Sequence, residues 1–189
     1  LTNPQNFIIP FPASPSVPTD WSKWQGKRSR RTRKCRSDFE SALAPAFRHA
    51  LRVHLVDPYF NCHRPEYRET LNLCVDLLMD GTASHPELFI HAGDPALDRT
   101  HNPESAQNRE LAWKSYLNSV SIRRPMTFRV YFWGNVPPER VHNRYIFTDQ
   151  CVGIKTGDGL DCHNPNNASK DTWGLEDVDV AKDLLADYT

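Results

Sequence analysis

The sequence predicts an α/β sandwich, with a central mixed and largely parallel sheet flanked by helices. Two observations lead there. Short runs rich in β-branched and aromatic residues recur at 52–57, 87–93 and 126–133. Between them lie stretches of a dozen residues or more, at 37–51, 66–79 and 105–120, whose apolar residues fall three and four apart. Strands alternating with helices of that length call for crossover connections and parallel pairing, above all among the first strands. At 189 residues the chain is long enough for one domain with a real core, and no internal repeat is visible.

The elements follow in order. Residues 1–36 read as an irregular, Pro-rich and basic N-terminal extension with five prolines before Trp21, in which Phe7-Ile8-Ile9 could still dock as an edge strand. The folded domain is expected over 37–189. Ser37 or Asp38 caps a first helix whose Phe39, Leu43, Phe47 and Leu51 form one apolar face, with Pro45 tolerated in an early turn. A strand over 52–57 ends at Pro58-Tyr59-Phe60. The second helix turns Leu71, Cys74, Val75 and Leu78 inward. A strand at 87–93, a polar loop at 94–103 and a third helix at 105–120 come next. The aromatic run 126–133, the segment around 142–149, a strand with a glycine turn over 151–160, and a helix near 178–188 complete the chain.

Charge narrows the function classes. With 23 basic and 23 acidic residues the chain is not a general cationic binder of nucleic acid. Its distribution is uneven, however: Lys27, Arg28, Arg30, Arg31, Arg33, Lys34 and Arg36 place seven cations in ten residues, while 176–187 is acidic. The basic run reads equally as a solvated linker and as a mobile arm that seeks phosphates on nucleic acid or an anionic membrane surface. Five cysteines, odd in number and without C-x-x-C spacing, point to reduced thiols and a cytoplasmic setting. Cys62-His63 and Cys162-His163 make a poor zinc site, because neighbours in a strand face opposite ways; no metal or cofactor is expected. No apolar run approaches a membrane span, and no signal peptide is visible. The start at Leu1, without Met, predicts a piece cut from a longer protein that could carry a fused domain or a protein partner.

The chemistry concentrates at 141–149. In a strand, His142 and Arg144 share a face, so an imidazole and a guanidinium converge on one small volume suited to a phosphodiester. Asp149, five residues on, could hold the imidazole in one tautomer, or serve as a turn residue. Lys155 could add a second cation or be a surface residue, and Thr156 could join the phosphate pocket. Asp57 ends a strand where α/β sheets bind ligands, yet Asp-Pro-Tyr is also turn chemistry with Tyr59 packing, which is favoured. Gly157 and Gly159 read as a tight turn rather than a phosphate cradle. His101 and His163 are the other histidines that could supply a second imidazole, and both read as surface loop residues.

His142-x-Arg144-x4-Asp149 resembles the His-x-Lys-x4-Asp signature of the phospholipase D superfamily, with Arg in place of Lys. The order of elements, the Asp57-Pro58-Tyr59 element and the run Gly157-Asp158-Gly159-Leu160-Asp161 resemble more closely the C-terminal phospholipase-D-like domain of the MIT-domain proteins of cytokinetic abscission, over about 37–189. That resemblance implies a single phospholipase-D-like half-unit and a non-catalytic domain that binds acidic lipid headgroups. It makes Arg144 a family feature. The Ser and Asn of active phospholipase D enzymes are replaced here by Gly157-Asp158-Gly159, and only one signature is present. Three functions therefore stand: an accessory module that recognises a phosphodiester, with His142, Arg144, Lys155 and Thr156 as its pocket; a homodimeric, metal-independent phosphodiesterase or nuclease working through a phosphohistidine at His142; and a protein-interaction domain that has lost the pocket.

Overall fold

The computed structural model describes residues 28–93, 106–121, 125–133 and 144–188. Seven strands form one sheet: β1 (Ser29–Arg33), β2 (Arg52–Val56), β3 (Glu87–Gly93), β4 (Thr127–Trp133), β5 (Arg144–Thr148), β6 (Gly153–Thr156) and β7 (Lys170–Leu175). Among the described residues four helices accompany them, α1 (Arg36–Phe47), α2 (Pro65–Met79), α3 (Ala106–Ser121) and α4 (Val178–Ala186). The strand order is β1-β7-β6-β5-β2-β3-β4.

The α/β architecture is as expected, and the sheet corrects one part of the expectation. Only β2-β3 and β3-β4 are parallel, so the first strands behave as predicted. The pairs β2-β5, β5-β6, β6-β7 and β1-β7 are antiparallel, which makes the sheet mostly antiparallel. The reason is local. No helix lies between β5 and β6 or between β6 and β7, and without a crossover element a returning chain pairs antiparallel.

A second correction concerns the basic run. Residues 28–36 are not an irregular arm: 29–33 form the edge strand β1, in register with β7 from Ser29↔Gly174 to Arg33↔Lys170. Thr32 and Lys34 are buried, Arg28 pairs with Asp177, Arg33 with Asp38 at 2.9 Å, and Arg36 with Glu69 and Asp76 at 2.8 and 2.5 Å. Lys27 and residues 1–26, including Phe7-Ile8-Ile9, lie outside the described residues.

Helix α1 also departs from its expected details. It ends at Phe47, leaving Leu51 outside the helix and 40% exposed, and its N-cap is Cys35 with no side-chain cap. Asp38 instead accepts from the Arg33 backbone N–H at 3.1 Å, tying the end of β1 to the first turn of α1. Pro45 falls in the last turn, not an early one. It removes the N–H that would reach the Ser41 carbonyl, and Arg30 Nη1 donates to that carbonyl at 3.4 Å instead.

The main core lies between one sheet face and the helices. Val53, Leu55, Leu88, Ile90, Ile146, Ile154 and Trp173 meet Phe39, Leu43 and Phe47 of α1, Leu71, Cys74, Val75 and Leu78 of α2, and Trp113 of α3. Trp173 is fully buried, its ring 4.6 Å from that of Phe39. On the other face α4 lays Ala181 and Leu185 against Val56, Tyr145 and Phe147. Among the described residues no helix is long and apolar enough to cross a membrane.

Candidate functional site

Antiparallel pairing brings several strand ends to one edge of the sheet. Asp57 follows the last residue of β2, Arg144 opens β5, Thr156 closes β6, Asp171 lies at the start of β7, and Lys34 follows β1. Arg144 and Thr156 are register partners, so their side chains share a face. The loop 157–161 crosses this edge, and every part of it is held by a side chain from a strand end. Asp171 Oδ2 accepts from the Gly157 and Asp158 N–H groups at 2.9 and 3.1 Å, and from Trp173 Nε1 at 3.0 Å. Asp57 Oδ2 accepts from the Leu160 N–H at 2.8 Å. Lys34 Nζ donates to the Asp158 carbonyl at 3.1 Å and to Asp161 Oδ1. Gly159, at φ +104°, lies where a Cβ would be 3.1 Å from Asp57 Oδ2, 3.2 Å from Asp161 Oδ1 and 3.3 Å from Arg144 Nε. Backbone conformation and space both require glycine there.

Asp57 is fully buried and does two jobs. Oδ1 accepts from the Tyr59 N–H at 2.9 Å, the expected turn, and lies 3.6 Å from Arg144 Nε. Arg144 in turn donates through Nη1 to the Gly157 carbonyl at 2.8 Å, and its guanidinium lies 5.1 Å from the Tyr59 ring centre. Tyr59 is 52% exposed, so it is a platform for Arg144 and not packed into the core. The Arg144 side chain is one-fifth exposed at 20%, and its Nε is buried without a hydrogen bond, as is the Thr156 hydroxyl.

Two carboxylates here are pushed in opposite directions. Burial raises the Asp57 pKa above the usual carboxylate range, against the pull of the Leu160 and Tyr59 N–H groups and of Arg144, while Asp161 adds to the rise. Burial also opposes ionisation of Asp161, yet hydrogen bonds from Lys34 and from His163, whose Nε2 lies 2.5 Å from Oδ2, hold its pKa below the usual range.

The expected site residues separate into three groups. Arg144, Thr156, Asp57 and Tyr59 come together as described. His142 and His101 lie outside the described residues. Lys155 and Asp149 are placed elsewhere: Lys155 is the partner of Tyr145, on the opposite sheet face from Arg144, because one residue along a strand reverses direction. Asp149 lies beyond the far end of β5, roughly 16 Å along the strand from Arg144 at strand rise. Its Oδ1 accepts from the Leu51 and Arg52 N–H groups at 3.0 and 3.2 Å, so it fastens β5 to the start of β2. Sequence reasoning missed Asp161 and Asp171 as site residues and placed Lys34 in the polyanion-seeking run, not at this loop. The Gly157-Asp158-Gly159-Leu160-Asp161 run was a usable signal for the loop; nothing marked Lys34 apart from its neighbours.

A second buried polar group lies under the other sheet face. His54 Nδ1 and His91 Nε2 are 3.0 Å apart, and Trp133 Nε1 donates to His91 Nδ1 at 3.2 Å. Because the indole can only donate, His91 carries its proton on Nε2 and donates it to His54. Burial lowers the pKa of His54 to about 4 and of His91 to about 3, helped by Arg52 and by His54 respectively. Phe89, Tyr131 and Tyr188 close around the pair.

No protein-family model matches the chain, and no curated protein matches it. Solved structures do. Nuc, a phospholipase D family member from Salmonella typhimurium, superimposes with a TM-score of 0.50 at 11% identity over 85% of this chain and 90% of that one. NucT from Helicobacter pylori gives 0.49 at 9% identity, over 85% and 92%. Phosphatidylserine synthase from Haemophilus influenzae gives 0.40 at 16%, over 83% of this chain and 38% of that one. The chain thus shares the fold of Nuc over most of both lengths.

Proposed function

We propose that the strand-end cluster recognises a phosphate-bearing ligand, a phosphodiester of nucleic acid or an anionic lipid headgroup, and that the chain is a non-hydrolytic accessory module of the kind the MIT-domain resemblance implies. Arg144 carries this reading. Its guanidinium is fixed by the Gly157 carbonyl, the Tyr59 ring and Asp57, remains partly open to solvent, and keeps a buried Nε–H without an acceptor. A cation already held in place loses little side-chain entropy on binding an oxyanion, and an Arg binds it bidentately. The surroundings favour binding over turnover. Asp149 is committed to backbone N–H groups, and the Gly157 and Asp158 N–H groups, in place of a Ser and an Asn, are already taken by Asp171. Five buried cysteines, none of them in a disulfide, fit a reducing, cytoplasmic compartment.

The test is binding and cleavage side by side, with wild type, His142→Ala and Arg144→Ala on a labelled oligonucleotide, a bis-aryl phosphodiester and acidic liposomes, in EDTA. Arg144→Ala is expected to weaken binding by about 1.5–3 kcal/mol, His142→Ala by less, with no cleavage by any of the three. EDTA-resistant cleavage that disappears in His142→Ala would establish the dimeric phosphodiesterase instead.

A further inference from the structure

Helix α4 covers only part of its sheet face. It packs on Val56, Tyr145 and Phe147 of β2 and β5 and closes Ala181 over Gly153 of β6, and it leaves Lys155 of β6 and the outward side chains of β7 and β1 exposed. The burial of these three strands alternates. Thr32, Thr156, Asp171 and Trp173 point inward and are buried, while Arg31, Arg33, Lys155, Lys170 and Thr172 are exposed. The register sets the outward residues side by side: Lys155 beside Gly174 and Ser29, then Thr172 beside Arg31, then Lys170 beside Arg33. The result is a low floor of Ser29, Thr172 and Gly174 with cations at its margins. Steps of two residues along a strand, roughly 6.6–7 Å, separate its rows.

The charges on this face are not equivalent. Arg33 is paired with Asp38 and Arg28 with Asp177, whereas Arg31, Lys155 and Lys170 have no ion-pair partner among the described residues. Glu176 and Asp177, at the start of α4, border the face on the side of Gly153 and Arg28.

We propose that this open face is a second polyanion site, separate from the Arg144 cluster, and that its occupant is the phosphate backbone of a single-stranded nucleic acid. Charge complementarity picks a polyanion. The floor favours a polynucleotide over a bilayer: it presents small polar side chains and no large apolar group for insertion among acyl chains. Lys155, Arg31 and Lys170 fall in three successive rows, so a nucleic-acid backbone running along the rows passes each in turn, with the long side chains reaching in from β6, β1 and β7. Contact is sequence-independent, since among the described residues of β6, β7 and β1 no aromatic side chain is exposed on this face to stack a base.

Fluorescence anisotropy with a 20-nucleotide oligothymidylate and the matching RNA, across a salt series, tests this on the full chain. The comparison is between wild type, the triple variant Arg31→Gln/Lys155→Gln/Lys170→Gln, and Arg144→Ala. All three substitutions are at exposed positions, and a thermal melt checks the fold. The slope of log affinity against log salt should fall in magnitude by about 2 in the triple variant, as three single-strand phosphate contacts are removed. Arg144→Ala should lower affinity and reduce the slope by only about 0.7, the share of one single-strand contact, which separates failure of this face from failure of the Arg144 site. A triple variant with the wild-type slope would overturn the proposal. So would wild-type binding to phosphatidylserine vesicles, lost in the triple variant, with none to either oligonucleotide, since the face would then be a membrane surface.

Discussion

Two buried polar clusters lie on opposite faces of one sheet and solve the same problem differently. At the strand ends, Asp57, Arg144, Lys34 and Asp161 bring charges together and neutralise them with one another and with backbone N–H groups. Under α4, His54 and His91 stay uncharged, linked to each other and to the Trp133 indole among aromatic rings. The first arrangement holds a loop and leaves a guanidinium partly open. The second is sealed. A buried charge network that still reaches solvent can exchange one of its partners for a ligand, whereas a neutral, closed relay can only contribute packing.

Acid should break the comparison most strongly, because only the histidine pair must remain neutral. Both histidines titrate near 6.5 when unfolded and at about 4 and 3 when folded, so below pH 6.5 the unfolded chain binds more protons. Stability should therefore fall as pH drops from 6.5 through 4, on the order of 3 kcal/mol for each histidine. Urea titrations at pH 7, 5.5 and 4.5 check this; a His54→Phe/His91→Leu variant should lose less stability than wild type over the same interval, and an equal loss would assign the acid limb elsewhere.

Removing a charge from the other cluster comes next in size. Asp57→Ala strands Arg144 and leaves the Leu160 and Tyr59 N–H groups without an acceptor, a loss of about 3–5 kcal/mol. Chemical denaturation that showed less than about 1 kcal/mol would mean that the loop holds without its carboxylate. Gly159→Ala should cost about 1–3 kcal/mol through its left-handed backbone and crowding against Asp57 and Asp161, and should weaken phosphate binding with it. Smallest is Asp149→Asn. The amide oxygen can still accept from Leu51 and Arg52, so a change below about 1 kcal/mol and unaltered ligand affinity are expected. A large drop in affinity would return Asp149 to the site.

The parallel half of the sheet was legible because β2 and β3 are apolar runs separated by well-patterned helices. Strands β1 and β7 were not. Ser29-Arg-Arg-Thr-Arg33 carries no apolar residue, and its buried positions are Thr32 and, one step on, Lys34. Lys170-Asp-Thr-Trp-Gly-Leu175 buries Asp171 beside Trp173, since that carboxylate holds the 157–158 loop; a polar residue facing inward breaks the alternation on which strand reading depends. The candidate site was legible in its Arg144, Asp57 and Tyr59. Its remaining members come from sequence separations no local pattern spans: Lys34 meets Asp161 only because β1 joins β7.

That last pairing sets an order for biosynthesis. Arg31 finds its partner Thr172 only after nearly the whole of the described chain has left the ribosome, on the order of ten seconds later at ordinary elongation rates. Until then the Arg-rich strand has no ladder, Lys34 has no carboxylate, and Trp173 has yet to be made. A nascent chain stalled before β7 would thus present Arg28, Arg31 and Lys34 without their late partners to the RNA-rich surface from which it emerges, and release of that contact would coincide with closure of the sheet.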